Sequence, residues 1–469
     1  MHETSHAGAI WIRDDRHAIA VGVLVWTLVV LMIVPDGLDY SALHTAQAPT
    51  AGSPVTRMLW LGLLGFGSVV VLWRSGLAWL VLRWLNPFLP AFLIIALASV
   101  TWSIDPSLSI RRDIRFITFM MIALAFMVIG WHGRRLQSVI RPILTIMLGG
   151  SLLFGLLSPQ LAIHQESSAE LVGAWRGLTS HKNALGALSC IGLIFWFHAW
   201  LTGEVRPAVA LFGTGLCAIC LLLSRSSTSL VTAAFVLLFL FMFLRAPAGL
   251  RRYMPIAIIT FVAMLLIYSM AILRLVPGLD VLLSPIVALT GKDLSFTGRS
   301  EIWAIIVEHI HFSPYLGTGY GAYWSPVPGS PSLEFLQRMN FYPGSAHNGY
   351  LEIVNDLGFV GLACLIGYLA AYIRQSLQLL AMDRQKAALC LALFLQQGIT
   401  NLSETHWLSA MSVNCVIMML ATADLARAHL QRRLQLHFGD PTDSIYRSVS
   451  LHPVSAPISL AEHEAARWT

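Results

Sequence analysis

Six ionisable residues stand out against a strongly apolar chain: Arg176, Lys182, Arg225, Arg299, His347 and Glu404. A guanidinium is a planar fork that grips phosphate bidentately and stabilises charge as a phosphate ester leaves. An imidazole titrating near neutrality takes a proton from an attacking hydroxyl. Two arginines and a histidine on one face therefore suit displacement of a pyrophosphate by a hydroxyl group. Each residue also fits a plainer role. Arg176 and Arg299 could anchor loops to headgroups, Arg225 could snorkel from a span end, His347 could cap a helix, and Lys182 and Glu404 could solvate short loops. A second basic group, Arg111, Arg112 and Arg115, would widen an anion site. Other chemistries lack their residues. The chain has no G-x-x-x-x-G-K-[ST] for nucleotide phosphates. It also lacks a D-x-D, so neither a metal nor any cofactor is expected.

These residues need elements to hold them, and composition says of what kind. Of 469 residues, 56% are hydrophobic and only 12% charged, and mean hydropathy is +0.69. That charge content is about half the usual ~25%, too little to clothe a soluble protein, and disorder needs the opposite balance. A polytopic, all-α membrane protein is expected. Its net charge of +6 then concerns the two sides of a bilayer and not nucleic acid. The six cysteines all fall in apolar runs and read as small buried hydrophobes.

Twelve stretches approach the ~20 apolar residues of a membrane helix: 17–34, 55–73, 86–103, 114–131, 138–158, 184–202, 207–223, 227–244, 254–273, 351–374, 386–401 and 408–425. Residues 1–273 carry nine spans, 274–350 form one long polar loop, 351–425 carry three more spans, and 426–469 form a tail. With the N-terminus cytoplasmic, 19 of the 30 Lys and Arg fall inside, as the positive-inside rule favours. All six leading residues then share the outer face, and Arg111, Arg112 and Arg115 break the rule together in an outer loop. A transporter would also use many spans, but it tends to show repeated halves and charges at mid-membrane. This sequence has no internal repeat and gathers its charge in outer loops.

Six motifs occur in a telling order: VTWSIDPSLSIRR (100–112), RGLTSHKNALG (176–186), SRSSTSL (224–230), TGRSEIW (297–303), GTGYGAYW (317–324) and AHNGYLEIVNDLGFVG (346–361). Over about residues 90–425 the chain resembles the O-antigen ligase/O-antigen polymerase (Wzy-type) superfamily. The His-Lys-Asn at 181–183 leans to its exopolysaccharide-polymerase branch. The resemblance implies a GT-C-like helical fold with a long periplasmic loop in a bacterial inner membrane. It also implies an inverting, metal-free glycosyl transfer from an undecaprenyl-pyrophosphate-linked glycan. Arg176 and Arg299 would contact the pyrophosphate and His347 would be the general base. To what the resemblance implies, the residues' own placement adds Arg225, Lys182 and Glu404 as substrate-binding groups, with Arg111, Arg112 and Arg115 widening the anion site. The acceptor would be another glycan for a polymerase, or lipid A-core or protein for a ligase. Membrane lipid and a chain-length regulator protein complete the candidate partners.

Overall fold

A computed structural model describes residues 17–35, 39–40, 54–130, 134–165, 171–253, seven positions between 256 and 267, and 299–438. The described chain is helical: α1 (Ala18–Ile33), α2 (Pro54–Trp73), α3 (Ser75–Leu82), α4 (Phe88–Ser99), α5 (Pro106–Val128), α6 (Arg135–Leu157), α7 (Lys182–Thr202), α8 (Pro207–Leu223), α9 (Ser227–Arg245), α10 (Arg299–Ile310), α11 (Glu334–Met339), α12 (Gly349–Leu379), α13 (Arg384–Thr400) and α14 (Val413–Phe438). An antiparallel bridge between Ile163 and Trp175 is the β pairing seen among the described residues. Most of the expected ninth span, 254–273, lies outside those residues, as does 274–298 of the long loop.

Among the described residues, six helices are long and apolar enough to cross a membrane: α2, α6, α7, α9, α12 and the Val413–Leu434 part of α14. Three more, α1, α4 and α8, are apolar but shorter. Burial sorts them. The apolar window of α7 is 83% buried and that of α14 is 89%, whereas that of α2 is 17%. Leu61, Phe66 and Leu72 on α2 are 58–72% exposed, and so much apolar surface would be intolerable in water. The protein is thus a multi-pass, all-helical membrane protein, with α7 and α14 central and lipid around α2, α8 and α9.

Contacts at the helix ends define two poles. At one pole Arg135 donates to Ala18 O and Arg245 to Leu201 O. Arg134 and Arg141 share Glu204, and Lys386, Asp424 and Arg427 form a buried ion cluster. The first residues of the expected tail therefore belong to α14, where Arg427 is fully buried. The other pole carries the loops with the candidate site. All six cysteines are free and buried.

One placement differs from the sequence reading. Arg111, Arg112 and Arg115 are not in a loop but in the first turns of α5. Asp105 caps this helix by accepting from Leu108 N at 3.1 Å, and Pro106 opens it, where no amide partner is needed. The described part of the long segment is also folded. Around α10 and α11, Ile302, Trp303, Ile306, Tyr323, Trp324 and Phe335 make a second, smaller core.

Helix α12 is broken at Gly358, whose φ of 61° and ψ of −160° no other residue adopts cheaply. The chain at 314–319 fills the break. Phe359 N donates to Pro314 O at 2.8 Å and Val360 N to Tyr315 O at 3.2 Å. On the other side, Thr318 N donates to Asn355 O and Gly319 N to Asp356 O, both at 2.9 Å. Gly317 is required here, since a Cβ on it would lie 2.5 Å from the Asp356 carbonyl carbon. The glycine motif GTGYGAYW is thus a plug that satisfies a broken helix.

Candidate active site

The site forms where three segments meet Glu404. Arg299 Nη2 lies 2.9 Å from Glu404 Oε1, and His347 Nδ1 lies 3.6 Å from Oε2. Asn183 Nδ2 donates to Oε1 at 2.7 Å. Arg299 opens α10, His347 precedes α12, Asn183 is in the first turn of α7, and Glu404 sits between α13 and α14. The Arg299 and Glu404 side chains are each 17% exposed and His347 is 27% exposed, so the cluster is sheltered but reachable.

Backbone architecture fixes this meeting. Asn348 caps α12, its Oδ1 accepting from Tyr350 N at 3.0 Å and Leu351 N at 3.1 Å. Just before it, His347 has φ 47°, the left-handed region, which costs about 1–2 kcal/mol in an L-residue. Strain of that kind persists only where neighbours over-determine the geometry. They do so here. Ala346 N donates to Glu352 Oε2 at 2.7 Å, and Trp303 Nε1 donates to Ala346 O at 2.8 Å. Gly349 N donates to Asn401 O, and the Asn401 side chain accepts from His406 N and Trp407 N, each at 2.8 Å. Asn401 thereby ties the Glu404 loop to the His347 loop.

The electrostatics follow. Burial alone would raise the Glu404 carboxyl. The contact with His347, then the charges of His347, Arg299 and His406, outweigh burial and hold it at about 2. His181 caps α7, its Nδ1 accepting from Asn183 N at 3.3 Å. Its ring meets that of His164 edge-on at 5.1 Å, and His164 Nε2 accepts from Lys182 N at 3.1 Å. Burial pushes His181 down to about 4, against the pull of Glu404. Burial likewise pushes His406 down to about 4. Among the described residues no group of three or more His, Cys, Asp or Glu could hold a metal ion.

The remaining candidates occupy distinct places. Lys182 stands beside Asn183 at the start of α7. Arg176 lies in the same loop but is 1% exposed, with Nε donating to Leu161 O at 2.7 Å. Arg225, also at a left-handed φ of 51°, donates to Val172 O at 2.9 Å and braces that loop from α8. Arg111 is exposed near Asp105, and Arg112 lies against Gly321 of the plug. Arg115 stacks over Trp60 and donates to Met411 Sδ. Sequence reasoning missed Asn183, Asn401 and Glu352. Asn183 had a signal, since it closes the His-Lys-Asn triplet. Glu352, in the first turn after the capping Asn348, had one too.

Fold and site together define a multi-pass membrane protein with a compact Arg–Glu–His–Asn cluster at one pole. Comparison with known proteins narrows this. The family model for O-antigen ligases matches residues 210–366, a stretch that includes Arg225, Arg299 and His347. Over 317 residues the chain is 32% identical to the exopolysaccharide production protein ExoQ of Rhizobium meliloti (strain 1021), covering 64% of this chain and 68% of that one. The chain belongs to the O-antigen ligase/polymerase superfamily, and is a membrane enzyme of that type.

Proposed function

We propose that the protein polymerises exopolysaccharide repeat units at the periplasmic face of a bacterial inner membrane, using an undecaprenyl-pyrophosphate-linked glycan as donor. Outside that membrane no ATP is at hand, so the leaving pyrophosphate carries the driving force. Arg299 binds the diphosphate directly, Lys182 adds a second charge near it, and Arg176 contributes positive charge from beneath the loop. Glu404 keeps the imidazole proton of His347 on Nδ1 and leaves Nε2 as the base. A hydroxyl of the acceptor glycan gives its proton to Nε2 and attacks the anomeric carbon. The bond from that carbon to the phosphate oxygen breaks, the configuration inverts, and undecaprenyl pyrophosphate departs. The observation that carries this reading is the junction at Glu404, which joins Arg299, His347 and Asn183 from three distant segments. Ionisable side chains also gather toward the two poles, which favours surface chemistry over transport. The name of the Rhizobium relative supports exopolysaccharide over O-antigen.

The test supplies purified protein in nanodiscs with one synthetic lipid-pyrophosphate repeat unit. A ladder of longer lipid-linked glycans is expected. Silence with that donor, but transfer once lipid A-core or a protein acceptor is added, would make the protein a ligase instead.

A further inference from the structure

The turn that leads from α10 into the plug, residues 311–316, combines two properties that seldom coexist. Three of its side chains are apolar and bare, beside an exposed His311: Phe312 is 87% exposed, Tyr315 71% and Leu316 44%. Its carbonyls are closed from Ser313 onward. Ser313 O accepts from Gly317 N, Pro314 O from Phe359 N and Tyr315 O from Val360 N. Leu316 O accepts from Trp102 Nε1 at 3.1 Å, and Gly317 O from Ser313 Oγ at 2.9 Å. Five consecutive carbonyls thus have partners, Pro314 has no amide to satisfy, and Phe312 N and Ser313 N donate to His309 O and Ile310 O. A water-facing turn has no need of this, because water supplies its hydrogen bonds. A turn that dips below the headgroups needs it, since irregular backbone at membrane depth survives only when protein satisfies it, while the His311 imidazole and the Tyr315 and Leu316 amides belong at headgroup level.

The turn docks into the Gly358 break, within a membrane-crossing helix. The surface around it is apolar as well. Phe359 and Val360 beside the break are 48% and 40% exposed, Ile366 two turns further on is 54% exposed, and Ile94 on the adjoining α4 is 67% exposed. The turn therefore continues the lipid face of α12. We infer that residues 311–316 form a wedge, seated in the α12 break and inserted to the headgroup–acyl boundary of the bilayer. Its occupant is bilayer lipid. The wedge would hold the α10–α11 core, and with it Arg299, at a fixed height over the membrane.

Spin labels on Phe312→Cys, Tyr315→Cys and Leu316→Cys, in the full chain in liposomes, test this. The six native cysteines are buried, and the unsubstituted protein gives their background. Ile366→Cys is the lipid reference and Gln337→Cys, on exposed α11, the aqueous one. Labels at 312, 315 and 316 should relax faster with oxygen than with a water-soluble nickel chelate, as at 366. The reverse order, as at 337, would overturn the wedge. Shielding from both reagents would also overturn it and point to a protein partner. Phe312 has little packing to lose, so its variant folds and decides alone if the others do not.

Discussion

At the scale of single residues, the account makes Glu404 the hub. Arg299→Ala removes a charge that answers the developing pyrophosphate, and transfer should fall by about 10²–10³. Arg299→Lys should recover little of it, because a point charge does not replace a fork. His347→Ala should cost about 10²–10⁴ if the imidazole is the base. Initial rates of glycan extension at matched protein levels check all three. Glu404→Gln separates positioning from bulk, as it keeps shape and loses the charge that orients His347. Its rate should fall and its pH profile should shift, while thermal stability changes less. The histidines around the hub give a further pH effect. His181 and His406 are held at about 4, below their ordinary 6.5, so the folded state disfavours their protonation. Stability they allow is fully present above 6.5 and is lost as pH falls toward 4. Thermal melts between pH 7.5 and 4.5 should show that decline, and His181→Asn, which keeps a capping acceptor, should flatten it. Glu404 stays ionised until far lower pH, so the Arg299 pair survives throughout this window.

At the scale of elements, helix existence was legible because membrane spans announce themselves by apolar length. Two features were hidden by the same rule. Hydropathy reads Arg111, Arg112 and Arg115 as a loop, although Asp105-Pro106 before them is a helix start. The break at Gly358 lies inside the expected span 351–374, and only its partner chain at 314–319 reveals it. Gly358→Ala should therefore be severe. It adds backbone strain of about 1–3 kcal/mol in a region only glycine enters freely and drives a Cβ into the backbone of Tyr315. A steep loss of folded yield in detergent is the expected outcome, against a mild effect for Gly62→Ala, where nothing stands within 4 Å. At the other pole, Lys386 Nζ and Asp424 Oδ2 are 2.9 Å apart and buried. Asp424→Leu would take the carboxylate from Lys386 and Arg427 together and should cost about 3–5 kcal/mol, while adding Lys386→Met should restore part of it. Melting temperatures of the single and double variants check this.

At the scale of the whole molecule, the sequence placed Arg299, His347 and Glu404 on one face because span counting alternates the loops. It could not show that Glu404 touches both, since Arg299 and Glu404 lie 105 positions apart in the chain. Nor could it show that Arg225 braces a loop through Val172, or that Arg115 rests on Trp60. Those contacts depend on packing between helices distant in sequence. The molecule that results has a buried ionic pole, a lipid-covered girdle and a pole where four segments assemble around one carboxylate. The measurement that tests this most directly is glycan extension by purified protein in nanodiscs, given the lipid-pyrophosphate repeat unit alone, for the unsubstituted chain and for Arg299→Ala, His347→Ala and Glu404→Gln. The account predicts a ladder from the unsubstituted chain and its collapse in all three variants at unchanged folded yield. A ladder of equal length and rate from the variants would contradict it.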